Sequence, residues 1–285
     1  IVLLGDNAYP LGTDVQWQTA FFQLYEDELR CTPVWPCTGN HDMSDVMRFI
    51  FSVNQDGRAG GVASNHPLNY SADIGNVHLV VLDPWKQWLE TTQFPGHSAW
   101  VEQLKWLESD LATTRQEWIV MANHFPVYCD GNYRSDEPGV LSKLRQTLVP
   151  LCDRYGVDFF LAGHDHTYQR SYLIRNHLGD SSMMRDENLV SNNDGRVQPI
   201  RKSHGSGSGT IYIVSGTGGG SRESGNFQHP AMIPMRHGKR GHNGPGVVIL
   251  EFDGRVVRGW NVSDSGEPTD TFCVEKPITK SSRTE

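Results

Sequence analysis

Four short motifs in this chain place metal-ligating atoms, in order, just after strand-like segments. They are Gly5-Asp6-Asn7-Ala8-Tyr9, Gly39-Asn40-His41-Asp42, Asn123-His124 and Gly163-His164-Asp165-His166. They supply carboxylates, a phenol, a side-chain amide and imidazoles, with no thiolate. Hard oxygen mixed with imidazole suits iron, manganese or zinc better than an iron–sulfur cluster or a structural zinc site. The set is too large for a single ion. Two ions sharing a carboxylate is the natural reading, and such a pair clamps a phosphoryl group with the ions about 3.5–4 Å apart.

Each residue has a role to match. Asp6 is the candidate bridge, since a carboxylate can give one oxygen to each ion. Tyr9, three residues on, would bind a trivalent ion strongly as a phenolate, which selects Fe(III). Asn40 offers its amide oxygen. His41 beside it cannot easily point at the same ion, so it is assigned to the substrate. Asp42 is expected to accept the other ring proton of His41 and fix its tautomer. An imidazolium there would stabilise phosphoryl oxygens or protonate the leaving alkoxide. His164 and His166 are two apart in an extended segment and share a face, and Gly163 permits close backbone approach. His124 alone is a weak sign. Taken singly, Asp6 also reads as a helix cap and Asn-His-Asp as turn chemistry. Their joint occurrence after consecutive strands carries the metal reading.

The elements that must position these groups alternate. Apolar runs predict strands at Ile1 to Leu4, Val77 to Leu82, Glu117 to Met121, Val157 to Leu161 and Thr210 to Val214. Val34 to Thr38 reads as extended. Helical spacing covers Val15 to Leu29, with Asp14 as N-cap, then Ala99 to Leu111 and Val140 to Tyr155. Val247 to Phe252 and Arg255 to Val262 read as a hairpin joined at Asp253-Gly254. Residues 52 to 69 read as a loop and 176 to 209 as a long surface loop within a single domain. The alternation gives an α/β class with a largely parallel sheet. Ligands bind beyond the carboxyl ends of such strands, where all four motifs lie. Gly218-Gly219-Gly220 lacks the Lys-Ser/Thr of a P-loop and reads as a turn near the site.

Composition narrows the partners. The formal charge is −8, from 33 acidic and 25 basic residues over 285 positions. That excludes a general nucleic-acid or anionic-membrane binder, which needs basic patches. No apolar run is long enough to span a bilayer. Cys31 and Cys37 either bridge across a Pro-rich turn or are two reduced thiols. Asn69-Tyr70-Ser71 and Asn261-Val262-Ser263 are glycosylation sequons, meaningful in a secreted chain.

On these motifs the chain resembles the calcineurin-like metallophosphoesterase superfamily, and within it the purple acid phosphatase branch, which Tyr9 in Gly-Asp-x-x-Tyr marks. Tyr70 to His78, Thr167 to Ser171, Gly209 to Tyr212 and His229 to Met232 extend the likeness nearly end to end. The resemblance implies a four-layer sandwich, two mixed β-sheets between helices. It implies Fe(III) paired with Zn, Mn or Fe(II), and hydrolysis of phosphomonoesters by a metal-bound hydroxide. By it Asp6 bridges, Tyr9 and His166 bind the ferric ion, Asn40, His124 and His164 bind the divalent ion, and His41 faces the substrate. A secretory or extracellular location goes with the likeness.

The chain departs from the family at two places. The leading motif, an Asp on the first strand, has no counterpart, so the domain over residues 1 to 285 is expected to be N-terminally incomplete and to lack its first strand. The loop after His124 has no histidine where relatives often place one, so Asn132 or Tyr133 is expected to face the substrate instead. Two alternatives stand beside the phosphomonoesterase. One is a phosphodiesterase or nucleotide pyrophosphatase of the same superfamily. The other is a catalytically silent binding protein on this scaffold.

Overall fold

Short apolar runs rich in β-branched and aromatic residues build the centre of the molecule. The computed structural model describes residues 1–42, 46–85, 98–220, 228–234 and 244–278. In chain order the strands are β1 (Tyr70–Ile74), β2 (Val77–Val81), β3 (Trp118–Asn123), β4 (Phe159–Ala162), β5 (Tyr168–Arg170), β6 (Leu173–Ile174), β7 (Leu189–Ser191), β8 (Ile200–Arg201), β9 (Ile211–Ser215), β10 (Gly246–Asp253), β11 (Val256–Ser263) and β12 (Pro268–Glu275). Among the described residues the α-helices are few: α1 (Asp14–Trp17), α2 (Glu26–Leu29) and α3 (Val46–Ile50) are short, α4 (Ser98–Thr113) and α5 (Val140–Tyr155) long.

One mixed sheet has the order β1-β2-β3-β4-β9-β5. Its middle strands β2, β3, β4 and β9 run parallel, and β1 and β5 close its edges antiparallel. β2, β3 and β4 are buried along their whole length, which is why they read as unbroken apolar runs. A second sheet, β10-β11-β12-β8, is an antiparallel meander with β8 added in parallel. Burial alternates along β10, so one face meets the core and the other faces water. The expected hairpin is present, and its turn is Gly254–Arg255, with Gly254 at φ 55°.

The layers follow from which face each residue occupies. Val80, Ile119, Met121 and Phe160 pack against Leu107 and Leu111 of α4 and Leu144 and Leu148 of α5. On the other face Leu79, Val81, Val120 and Ile213 meet Val257, Phe272 and Val274 of the second sheet. Each fully buried apolar side chain contributes roughly 1.5–3 kcal/mol. α5 ends at Gly156, whose φ of 69° supplies the left-handed cap.

Several expectations are corrected. Ile1 to Leu4 makes a single parallel bridge, Val2 to Trp35, and the segment after Val34 lies extended beside it, with Leu3 N donating to Trp35 O at 3.0 Å. The helix over Val15 to Leu29 breaks into α1, a π-turn over Gln18–Phe22, and α2. The wider turn lets the consecutive rings of Phe21 and Phe22 both reach Trp17. Thr13, not Asp14, is the N-cap, in a capping box with Gln16. β1, β5 and β12 escaped the sequence because they are short or carry Thr, Asp and Gln at many positions. The 176–209 segment carries two 3₁₀ turns, β7 and β8, and Ile200 within it is fully buried. Cys31 and Cys37 are free thiols. Asn69 and Asn261 are buried at 2% and 0% exposure, so neither sequon is open to glycosylation in the folded chain.

An ionic triad centred on buried His78 and Asp110 ties β1, β2 and α4 together. His78 Nδ1 lies 2.7 Å from Asp73 Oδ1 and its Nε2 lies 2.9 Å from Asp110 Oδ2. Burial pushes the His78 pKa down, but the bonds and charges of Asp110 and then Asp73 more than reverse it, and the net shift is upward. A pKa raised above the unfolded value of about 6.5 gives stability that is complete below that value. It is lost as pH rises through the folded value. His78→Phe is expected to cost about 3–5 kcal/mol near pH 6, as when one partner of a buried pair is removed, and less near pH 9. Urea unfolding at both pH values checks this, and a loss that does not shrink at high pH contradicts it.

Candidate metal centre

The ends of successive extended segments deliver the site. Asp6 follows the Ile1–Leu4 segment, Asn40 follows the one after Val34, His124 follows β3 and His164 follows β4. Asp6 and His164 sit at φ 56° and 66°, a left-handed conformation that costs a residue with a Cβ roughly 1–2 kcal/mol. The turn aims each side chain back across the strand ends. Glycine allows the segments to close up. A Cβ at Gly39 would stand 2.3 Å from Asp6 Oδ1, and one at Gly5 2.4 Å from His124 Nδ1.

Burial and hydrogen bonding fix the charge state of the imidazoles. His124 is fully buried, and burial leads the effects that lower its pKa. Its Nδ1–H donates to the carbonyl of Leu4 at 2.8 Å, because a carbonyl only accepts. The neutral ring therefore presents a lone pair at Nε2. That lone pair faces Asn40 Oδ1 at 2.9 Å, His164 Nδ1 at 3.2 Å and Asp6 Oδ2 at 3.5 Å. His164 Nδ1 is also 3.0 Å from Asn40 Oδ1. Burial, followed by the His124, His166 and His41 rings, drives the His164 pKa down to about 2, so it too is neutral, as a ligand must be. Ligand atoms of Asp6, His124 and His164 all lie within 4.8 Å of one another. Two side-chain oxygens and two neutral imidazole nitrogens converge here, and this set of atoms fits a cation.

A second cluster shares Asp6. Tyr9 O–H donates to Asp6 Oδ2 at 3.0 Å and lies 3.2 Å from His166 Nε2. The His41 ring lies over Tyr9, with centroids 4.4 Å apart. The backbone N–H of His41 donates to Asp6 Oδ1 at 2.7 Å.

Asp42 does not hold the His41 ring. His41 Nδ1 lies 3.1 Å from Pro10 O instead. Asp42 accepts from the amides of Asn7 at 3.0 Å and Gly39 at 2.9 Å and from the Asn7 side chain at 2.9 Å. It is a buried pin between the first two motifs, and burial raises its pKa to about 6. Adjacency in sequence suggested a contact that these backbone donors, reaching it first, prevent.

Residues 1–168 match the calcineurin-like phosphoesterase family, a stretch that takes in all four motifs. The chain belongs to that family. Human acid phosphatase type 7 is 31% identical over 62% of this chain and 42% of its own length. Human tartrate-resistant acid phosphatase type 5 is 28% identical over 59% of this chain and 55% of its own. The chain thus spans about half or less of these curated relatives. The purple acid phosphatase PPD1 of yellow lupin superposes with a TM-score of 0.71 at 18% identity, over 97% of this chain and 46% of that one, which establishes the fold. Membership in this family of hydrolases implies a dinuclear metal centre.

A cavity of about 760 Å³ opens beside Asn40 and His164, with Asn132 and Tyr133 in its wall. The Tyr133 ring stacks on His164 at 4.1 Å. A residue not singled out by its sequence context holds this loop in place. Asp165, fully buried, accepts from Cys129 Sγ at 2.9 Å, Tyr133 N at 2.9 Å and Thr167 Oγ1 at 2.7 Å. Gly131 leaves it room, since a Cβ there would stand 2.3 Å from Asp165 Oδ1. An acidic residue between two ligand-type histidines was the available signal. Asp165→Ala strands those donors and is expected to cost about 1–3 kcal/mol for each one left unsatisfied, and to loosen the 129–133 loop. Hydrogen exchange at Tyr133 N–H checks it: unchanged protection would contradict the anchoring role.

Proposed function

We propose that this chain is the catalytic part of a dinuclear-metal phosphomonoesterase of acid phosphatase type. The observation that carries the reading is the convergence of Asn40 Oδ1, His124 Nε2, His164 Nδ1 and Asp6 Oδ2 on one small space. In this reading Asn40, His124 and His164 hold a divalent ion, Zn, Mn or Fe(II). Tyr9 and His166 hold Fe(III), and Asp6 lies between the two. The phenol of Tyr9 supports the ferric assignment, since a phenolate favours a trivalent ion. Bound ions supply Lewis-acid chemistry: they acidify water and neutralise phosphoryl charge.

The chain's own residues do the rest. His41 is tethered through its backbone to Asp6 Oδ1 and through Nδ1 to Pro10 O, which leaves Nε2 to meet an ester oxygen. Asn132 and Tyr133 contact the substrate from the cavity wall. Tyr133 also sets the His164 ring by stacking, and Asp42 acts as a positioning residue through the Asn7 and Gly39 amides. A small phosphoester is the substrate, and a secreted location belongs to the same reading. No helix among the described residues is long and apolar enough to cross a membrane.

Two substitutions in the full-length protein separate ligand from substrate roles. His164→Ala is expected to weaken metal binding by at least roughly 10–100-fold, the cost of removing even an outer partner, and to abolish most turnover while the fold survives. Metal analysis with circular dichroism checks it, and wild-type metal content in the variant would count against the assignment. His41→Ala is expected to keep both ions and to slow phosphomonoester hydrolysis by roughly 10²–10⁴-fold. If that variant loses metal, His41 is a ligand instead.

A further inference from the structure

The cavity beside the metal centre is far larger than a phosphate group requires. Its volume of about 760 Å³ falls within the range of whole small-molecule sites, roughly 300–1,000 Å³. The wall at the metal ligands is aromatic. The Tyr133 ring lies nearly flat on His164, with centroids 4.1 Å apart and 25° between the planes. Phe125 meets the same imidazole edge-on, at 4.8 Å and 74°. Along the segment that follows, Pro138, then Val140 and Leu141 in the first turn of α5, line the cavity with apolar surface. The described lining holds one basic and one acidic residue, Arg134 and Glu137, so it has no net charge with which to select an ionic group.

Tyr133 has a ring face to spare. It is 40% exposed even though His164 covers one side of the ring. Among the described residues no second ring packs on it and its hydroxyl makes no hydrogen bond. The backbone beneath the ring is fixed. Tyr133 N–H donates to fully buried Asp165 at 2.9 Å, and the antiparallel bridge from Asp130 to Arg134 closes the loop around it. A flat surface held in place before a ligand arrives loses little freedom on binding. Aromatic rings in offset or edge contact also gain beyond the area they bury.

Resting on the phosphomonoesterase reading above, we propose that this cleft receives the alcohol part of the ester and selects flat aromatic alcohols of two rings. The open face of Tyr133 stacks on the first ring, directly beyond the scissile phosphate, with Phe125 behind it. The second ring lies along Pro138, Val140 and Leu141. Tyr133 is the residue that determines this specificity. Nucleotides match the order poorly, because a sugar that is neither flat nor apolar comes between their phosphate and their base. A small alkyl ester gains neither contact and leaves most of the cavity to water.

The test uses the metal-loaded full-length protein and three non-hydrolysable probes, with binding measured by calorimetry. Cyclohexylmethylphosphonate, benzylphosphonate and (2-naphthylmethyl)phosphonate share one anionic group, so a change at the metal centre cancels in their ratios. The benzyl probe is expected to bind roughly 2–10-fold more tightly than the cyclohexylmethyl probe, the worth of an aromatic pair beyond its buried area. The naphthyl probe is expected to gain at least roughly another tenfold from its second ring. Tyr133→Ala is expected to abolish the first preference and Tyr133→Phe to keep it. Val140→Asp, a substitution that suits the first turn of a helix, is expected to abolish the second-ring gain alone. Equal binding of the benzyl and cyclohexylmethyl probes overturns the proposal, as does a preference that survives Tyr133→Ala or fails in Tyr133→Phe. A second-ring gain that is absent, or that survives Val140→Asp, overturns it too. Hydrolysis of 2-naphthyl phosphate by the same preparation reports on the phosphomonoesterase reading separately. Hydrolysis without the binding preferences defeats this inference alone, and the preferences without hydrolysis defeat the reading it rests on.

Discussion

A knot of side-chain oxygens and imidazole nitrogens, packed within about 3.5 Å of His124 Nε2, is the constraint on which this structure turns. His124 Nε2 faces Asn40 Oδ1 at 2.9 Å and His164 Nδ1 at 3.2 Å. Burial lowers the pKa of both rings, so both are neutral, the state in which imidazole binds a metal. Rotation of the His124 ring would sacrifice its bond to Leu4 O. Such a convergence of neutral imidazoles and side-chain oxygens suits a cation. The left-handed backbone at Asp6 and His164 is local strain retained where the surrounding structure over-determines it.

The fold supplies that over-determination through buried carboxylates as much as through apolar packing. Asp42 pins the Asp6 turn to the Asn40 turn. Asp165 pins the His164 turn to the loop bearing Tyr133. Glycines at 5, 39 and 131 let the pinned segments approach, and a Cβ at any of them would strike a site side chain. Remote from the site, Asp270 accepts from Arg170 Nε at 2.9 Å and Arg196 Nε at 2.8 Å, linking the first sheet to the second. The layers are thereby held in one register while the strand ends carry the chemistry.

Much of this was legible in the residues. Unbroken runs such as Trp118 to Met121 and Phe159 to Leu161 announced buried parallel strands, and the ligand-type residues stood directly after them. The amphipathic pattern over Val140 to Tyr155 matched α5 at both ends. What stayed hidden was tertiary in origin. The π-turn after Trp17 follows from where Phe21 and Phe22 must pack, which helical spacing alone does not encode. β12 carries Thr269, Asp270 and Thr271 in succession before its apolar residues and has meaning only beside β11. Asp42 sits next to His41 in sequence, yet its partners are amides 35 residues away or across a turn, and no spacing rule distinguishes those choices. Asp165 looked like a spacer because its bonds run to a loop that approaches only in the folded chain.

Anomalous X-ray diffraction from metal-loaded crystals of the full-length protein tests the central claim most directly. The account predicts two peaks about 3.5–4 Å apart, one bounded by Asn40, His124 and His164, the other by Tyr9 and His166, with Asp6 touching both. A single peak remote from these residues, or the same atoms converging with no ion between them, would contradict it.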